Sequence, residues 1–294
     1  MEEPYVIDSY LYLLLGIIIF ITICYLYRSP YLYRTAYKSA YSQIPNQIHF
    51  VFGLKPQDEE FMFSYYVAIY SAYILNNPEK IYFYYHHEPH GKWFTKLKEI
   101  PIIDFEKVDI PTHIGNKPLL HVAHKADIIR MEKLLERGGI YMDIDTISVR
   151  PYTHLLHNDV VLGKEKGDGI CNAVMMTKPN SEFFTIWYDN YEKEFKSNGW
   201  NEASIKLPKL LADKYPSKLT LLEEDVFFLP SWNETDKIFE KTYDIPNNLI
   251  TLHLWESFSK KYLDKINDWS WCEVNMDTLY GKLLNNLRIS TNIY

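Results

Sequence analysis

Cysteine is scarce, with three residues in 294 (Cys24, Cys171 and Cys272), one of them inside an apolar N-terminal run. They give no disulfide framework, which agrees with a reducing compartment and leaves Cys171 and Cys272 to be read as ordinary buried thiols. No long basic run interrupts a chain of formal net charge −7, so nucleic acid is excluded as the main partner. There is no internal repeat, no low-complexity segment and no Gly/Ser linker, so the economical organisation is one catalytic-sized domain. Charge is absent altogether from Tyr10–Tyr27, YLYLLLGIIIFITICYLY.

That uncharged run is long enough to cross a hydrocarbon core, which takes about 18 to 20 apolar residues. Tyrosines at both of its ends (Tyr10, Tyr12, Tyr25, Tyr27) fit interfacial belts. The acidic start (Glu2, Glu3, Asp8) and the lack of a small-x-small cleavage site argue against a cleaved signal peptide. The expected layout is a tail at 1–9, a single-pass anchor at 10–27, a short tyrosine-rich stem at 28–43 and a globular domain at 44–294. Arg28, Arg34 and Lys38 follow the run and no Lys or Arg precedes it. By the positive-inside rule the domain is expected on the cytoplasmic side. The sequon Asn233-Glu234-Thr235 points weakly the other way.

What is abundant is apolar and aromatic: 47% hydrophobic and 16% aromatic residues, with 25 tyrosines. Such a chain can build a sizeable core. Ile48–Phe52 reads as a buried strand ending at Gly53, and Glu59–Leu75 as a helix stopped by Asn76-Asn77-Pro78. Strands follow at Ile81–Tyr85 and Val108–Ile110, with a short helix at Trp93–Lys98 between them. A helix from about Leu119 to Arg137 ends at Gly138-Gly139, and Ile140–Ile144 is the next strand. Beyond Pro151 the pattern mixes strands (Val160–Gly163, Ala173–Thr177, near Leu219, Leu249–Leu254) with helices (Ser181–Phe195, Ser204–Ala212). The alternation predicts an α/β domain with a mostly parallel sheet and helices on both faces.

Chemistry concentrates in the stretch from His124 to Asp145. Leu120, Ala123, Asp127, Met131 and Leu134 share one helix face, with Arg130 beside them, while Lys125, Glu132 and Glu136 point to solvent. A carboxylate and a guanidinium on a buried stripe must be paired or bound to a ligand. Taken alone, the pair serves equally well as a structural tie. Tyr141, Asp143 and Asp145 fall on one side of the following strand, the carboxylates roughly 7 Å apart at their Cα atoms. Like charges that close call for a neutralising cation, and two hard oxygen donors suit Mg²⁺ or Mn²⁺ completed by phosphate oxygens. A lone D-x-D is common by chance. Its position after Gly-Gly and a helix bearing Asp127 and Arg130 is far more specific.

The pattern A-D-x-x-R…G-G-x-Y-x-D-x-D, filled by Ala126, Asp127, Arg130, Gly138, Gly139, Tyr141, Asp143 and Asp145, resembles the DXD glycosyltransferases of family 32. Further likeness lies in Ile44-Pro45-Asn46-Gln47-Ile48-His49-Phe50, in Ser71 with Asn76-Asn77-Pro78, and in Gly169-Ile170-Cys171-Asn172-Ala173. Ser204–Pro208, Phe227–Trp232 and His253-Leu254-Trp255 are similar to one branch of members. The resemblance covers about residues 44–256; one departure is Leu207-Pro208, which stands where many members carry Gly-Pro.

The resemblance implies a GT-A fold, Rossmann-like in its nucleotide half, and a metal-dependent enzyme that retains anomeric configuration. It implies that Asp143 and Asp145 contact Mn²⁺ (or Mg²⁺) and the donor, with His253 as a third contact. Asp127 and Arg130 would hold the hexose hydroxyls, and Asn172 would face the anomeric carbon. Tyr141 belongs to the same donor-facing set, the strand bearing His49 and Phe50 would line the base pocket, and Trp255 would close over the donor. The expected partners are a UDP- or GDP-hexose donor, a glycan or lipid acceptor and the bilayer. Eukaryotic relatives act in the Golgi lumen, which makes a Golgi or ER lumen the alternative location. Two other readings use the same carboxylates: a metal-dependent nucleotide-sugar hydrolase or nucleotidyltransferase, and a catalytically silent sugar-nucleotide-binding protein. From charge repulsion alone, Asp145→Ala is expected to remove activity with little loss of folding.

Overall fold

The computed structural model describes residues 43–291. The expected tail and anchor, and all of the stem but its last residue, lie outside the described residues. Among the described residues no helix is long and apolar enough to cross a membrane.

The described residues begin with β1 (Gln47–Val51), α1 (Phe63–Asn76), β2 (Lys80–Tyr85), α2 (Lys92–Leu97) and β3 (Ile103–Lys107). A small ribbon, β4 (His113–Ile114) and β5 (Lys117–Pro118), leads into α3 (Val122–Arg137), β6 (Gly139–Met142) and β7 (Thr146–Ser148). Next come β8 (Val160–Glu165), β9 (Gly169–Thr177) and α4 (Glu182–Glu194). A π-helical turn at Glu202–Lys206 runs into α5 (Leu207–Lys214), followed by β10 (Thr220–Leu222), α6 (Glu224–Phe227) and α7 (Asp236–Phe239). The last elements are β11 (Thr251–His253), α8 (Glu256–Leu263) and α9 (Leu279–Ser290).

Seven strands form one sheet in the order β10-β8-β9-β6-β1-β2-β3. β3, β2, β1 and β6 run parallel, and β9 joins β6 antiparallel. β7 pairs separately with β11, antiparallel, with His253 opposite Thr146. The α/β class and the mostly parallel sheet are therefore present. The period of two along each strand sends alternate side chains to opposite faces. Ile48, Phe50, Ile81, Phe83, Ile140 and Met142 pack into one apolar layer. Tyr84, Tyr141 and Met175 pack into the other, with Leu134 of α3 and Trp187 of α4. A parallel sheet is stable only when both faces are covered in this way.

Several segment boundaries differ from expectation: α1 starts at Phe63 rather than Glu59, and β6 ends at Met142 rather than Ile144. The third strand is Ile103–Lys107 rather than Val108–Ile110, and α3 starts at Val122, leaving Leu120 exposed before it instead of on the buried face. A residue outside the helix does not share its periodicity. The Ser71 and Asn76 likeness proves to be a structural clasp. Ser71 Oγ accepts the Ser148 N–H at 2.9 Å, while Asn76 Nδ2 donates to Ser148 Oγ at 3.0 Å and its Oδ1 accepts the Tyr152 N–H at 3.2 Å. These bonds tie α1 to β7, directly after the two carboxylates.

Chain order reverses beside β1: β2 and β3 lie on one side, and β6 returns to the other. At such a switch point the carboxyl ends of neighbouring strands diverge and leave a crevice for a ligand. Asp143 follows β6 directly. Gly138 and Gly139, with φ of +64° and +107°, make the sharp entry to β6. A Cβ on Gly139 would lie 2.5 Å from the Gln47 carbonyl oxygen and 2.8 Å from His49 Nε2, so only glycine fits there.

His49 and Phe50, expected to line a base pocket, have fully buried side chains. His49 hydrogen-bonds the Tyr84 hydroxyl at 2.9 Å and the Gly138 carbonyl oxygen at 2.8 Å, while Phe50 is part of the apolar layer. Any contact with a ligand from this strand must therefore come from its exit at Phe52 and Gly53. Burial lowers the His49 pKa from 6.5 to about 3. The unfolded chain then binds a proton that the folded chain refuses. The stability this neutral ring contributes is complete above pH 6.5 and falls as pH drops toward 3. Acid titration of urea unfolding should show that slope, and His49→Phe should flatten it.

Candidate active site

The two carboxylates of the D-x-D do not share a strand face. β6 ends at Met142, and Asp143–Thr146 forms a turn closed by the Thr146 N–H on the Asp143 carbonyl oxygen at 3.0 Å. Aspartate favours turns over strand interiors because its side chain competes for backbone groups. The turn aims Asp143 toward α3 and Asp145 toward β11.

On the α3 side a network of charges and hydrogen bonds forms. Arg130 Nη1 lies 3.1 Å from Asp143 Oδ1 and donates to the Asn172 carbonyl oxygen at 2.9 Å. Its Nη2 is 3.5 Å from Asp127 Oδ1, and the guanidinium sits 4.3 Å from the centre of the Tyr141 ring. Tyr141 donates its hydroxyl to Asp143 Oδ1 at 2.6 Å. Both Asp127 oxygens accept hydrogen bonds, Oδ1 from Asn172 Nδ2 at 2.7 Å and Oδ2 from the Tyr191 hydroxyl at 2.9 Å. Burial would disfavour the Arg130 cation, but Asp143, Tyr141 and Asp127 outweigh it and raise its pKa. A buried cation among carboxylates stays charged because neutralising it would leave them unpaired.

On the β11 side, His253 Nε2 lies 3.2 Å from Asp145 Oδ1. The Glu256 N–H donates to Asp145 Oδ2 at 2.8 Å, and the Leu254 N–H to its carbonyl oxygen at 2.9 Å. The chain makes this wrap through Trp255, whose φ is +55°. Trp255 is buried, donates its indole N–H to the Pro230 carbonyl oxygen at 2.9 Å and packs 4.0 Å from the His253 ring centre. Burial alone would raise the Asp145 pKa, but His253 and the backbone N–H hold it below the usual carboxylate value. Asp143 goes the other way: burial raises it, with Arg130 opposing and Asp145 adding to the rise.

Asp143, Asp145 and His253 each offer a ligand atom, all within 4.8 Å of one another. Two carboxylate oxygens and an imidazole nitrogen fit a borderline-hard cation such as Mn²⁺, with Mg²⁺ served less well by the imidazole. His253 Nδ1 is buried without a partner, so one ring nitrogen is not spent on the fold. Among the described residues this is the one such cluster of three.

The expected site residues Asp127, Arg130, Tyr141, Asp143, Asp145, Asn172, His253 and Trp255 thus meet in one place. Tyr191 and Glu256 are additions. Tyr191 lies on the apolar stripe of α4 with Phe184 and Trp187, and nothing in that spacing marks its hydroxyl as a partner of Asp127. Glu256 also accepts the Tyr65 hydroxyl at 2.8 Å, a contact across 191 positions that no local pattern shows.

Residues 30–162 match the family described as glycosyltransferase sugar-binding region containing DXD motif. Over 248 residues the chain is 34% identical to glucan organizing enzyme 1 of Cryptococcus neoformans var. grubii, covering 77% of this chain and 66% of that protein. These two matches support a family 32-like DXD glycosyltransferase. The chain spans just under two thirds of the length of that relative. Among solved structures it is similar to the glycosyltransferase GlyE of Streptococcus pneumoniae, at 18% identity and a TM-score of 0.49 over 85% of this chain and 64% of that one. It is also similar to the galactosyltransferase LgtC solved with donor and acceptor sugar analogues, at 13% identity and a TM-score of 0.43 over 83% and 95%.

The geometry changes what Asp145→Ala should do to folding in this glycosyltransferase. Its carboxylate is not merely repelled by Asp143; it holds His253 and the Glu256 N–H. Removing one partner of a buried pair costs about 3–5 kcal/mol. Urea unfolding should show a clear loss of stability for Asp145→Ala, not near-neutrality.

Proposed function

We propose that this domain moves a hexose from a nucleotide-sugar donor to a glycan or lipid acceptor, with retention at C1, in a GT-A-type fold. The observation that carries this reading is the convergence of Asp143, Asp145 and His253 next to the Asp127–Arg130–Asn172 network, at the switch point of the sheet. Asp143, Asp145 and His253 would hold Mn²⁺ (or Mg²⁺). Once bound, the ion would stabilise the negative charge developing on the departing nucleoside diphosphate.

The chain's own residues then position the sugar. A carboxylate has about four acceptor sites, so Asp127 can take a hexose hydroxyl in addition to Asn172 and Tyr191. Arg130, fixed by three partners, is pre-organised to donate to another sugar oxygen at little entropic cost. Asn172 would lie beside C1, and Trp255 would limit water at the donor. The base would rest near Phe52 and Gly53, beyond β1. In the reaction the C1–oxygen bond to the diphosphate breaks, its electron pair leaving with the phosphate. The acceptor oxygen bonds C1 from the same face, and its proton passes to the departing phosphate. Among the described residues no nucleophile for a double displacement is evident beside the network. The name of the Cryptococcus relative favours glucan as the acceptor class.

The test is a screen of UDP- and GDP-sugars with Mn²⁺. Asp143→Asn keeps the shape of the turn while weakening the cation site and the Arg130 pair, and should lower turnover by about 10²–10³-fold. EDTA should abolish it in the wild type. Donor binding without turnover on any acceptor would move the reading to a silent binding protein, and turnover to free sugar alone would move it to a hydrolase.

We further propose a bilayer anchor at 10–27, with the flanking charges favouring a cytoplasmic domain. Asn233 is exposed, so it reports the side. In sealed membranes the domain should be digested by external protease and carry no glycan at Asn233. Protection together with a glycosidase-sensitive mass shift would instead place it in the Golgi or ER lumen.

A further inference from the structure

One aromatic cluster leads outward from the sugar-positioning network and is not used by it. Tyr191, bonded to Asp127, stacks on Phe195 at 6.0 Å between ring centres and 22° between planes. Phe195 meets the His124 ring edge-on at 5.0 Å, and His124 meets Trp200 at 5.9 Å. His121 meets the same indole at 5.8 Å. The series ends at the surface, where Trp200 is 64% exposed. His124 lies three residues before Asp127 on α3, about 4.5 Å along the helix axis. The indole is therefore one ring contact and one turn of α3 away from Asp127.

Two observations separate this cluster from ordinary packing. His124 is 3% exposed, yet its Nδ1 has no hydrogen-bond partner; a buried polar atom left unpaired costs about 1–3 kcal/mol. It lines a shallow notch shared with Tyr191, Phe195, Trp200 and Glu202. The indole is also flanked by two rings, His121 at 5.8 Å and His124 at 5.9 Å between centres. A large fixed aromatic face on the surface is costly unless something covers it.

We propose that Trp200, with His121 and His124, is a subsite for a hexose ring of a glycan acceptor. The inference rests on the glycosyltransferase reading of the neighbouring site. A pyranose has one face of C–H bonds and a rim of hydroxyls. The C–H face fits the negative face of the indole, and the rim suits the exposed His121 and the half-buried Glu202, with His124 packed beneath the indole. The cluster packs back to Asp127 through Phe195 and Tyr191, which puts Trp200 on the part of the surface next to the sugar-positioning network. Leu120 and Val122 are exposed next to His121 and define the rival occupant, a lipid tail. The aromatic and hydrogen-bonding character of the cluster favours the sugar.

The experiment measures binding of laminaripentaose and mannopentaose to the full chain, with Trp200→Ala and Trp232→Ala compared against it. Trp232 is an exposed indole elsewhere on the surface. Trp200→Ala should weaken oligosaccharide binding about tenfold, one tenfold step being 1.4 kcal/mol, with an unchanged melting temperature and unchanged binding of UDP- or GDP-sugars. Trp232→Ala should bind as the wild type does. Equal weakening in both variants, equal binding in Trp200→Ala and wild type, or no oligosaccharide binding by the wild type would each overturn the subsite. Affinity that rises from methyl to octyl glucoside but not with added sugar rings would overturn it in favour of a lipid groove. Donor binding in the same preparation tells the two readings apart: its absence counts against the glycosyltransferase site, and its presence without oligosaccharide binding counts against this subsite alone.

Discussion

The structure depends on how the interior accommodates three carboxylates with so little water. Asp127 and Asp145 are almost wholly buried and Asp143 is half-buried between them. Such charges survive only when paired and hydrogen-bonded. Arg130 spans Asp127 and Asp143, and His253 answers Asp145. Around Arg130 and His253 the remaining contacts are arranged: Asn172 and Tyr191 on Asp127, Tyr141 on Asp143, the Glu256 N–H on Asp145. The arrangement balances negative charge without exhausting the lone pairs. It therefore holds the fold together and leaves acceptors free for a sugar.

The opposite pKa directions of Asp143 and Asp145 follow from the same division. Asp145 has His253 and a backbone donor to itself, which hold its pKa below the usual carboxylate value. Asp143 shares Arg130 with Asp127 and carries the larger unrelieved cost of burial. A divalent ion would relieve Asp143 most.

Much of this was readable before any coordinates. The buried stripe of α3 shows Asp127 and Arg130 because helical periodicity is a local property, and the apolar runs of β1, β2 and β6 show a covered parallel sheet. What local pattern misreads are the ends of elements. The D-x-D continues the alternation of β6 on paper, but the backbone turns after Met142, and two residues with a common period come to face different partners. Leu120 shares a helical spacing with Asp127 yet lies before the first turn. His49 and Phe50 resemble a ligand-lining strand in sequence, but their side chains belong to the sheet's packing. Tyr191, Glu256 and Trp200 are invisible in one dimension, because their roles arise from contacts between distant segments.

The pairing of β7 with β11 has a consequence for synthesis. His253 reaches Asp145 across 108 positions, and the Trp255–Glu256 turn closes the same contact. Contacts so distant in sequence form late, after most of the loop-closure entropy has been spent. A chain emerging from the ribosome can fold the Asp127–Arg130 half long before it has His253. Under the proposed function, cation binding and use of a sugar nucleotide would then wait until nearly the whole domain has been made.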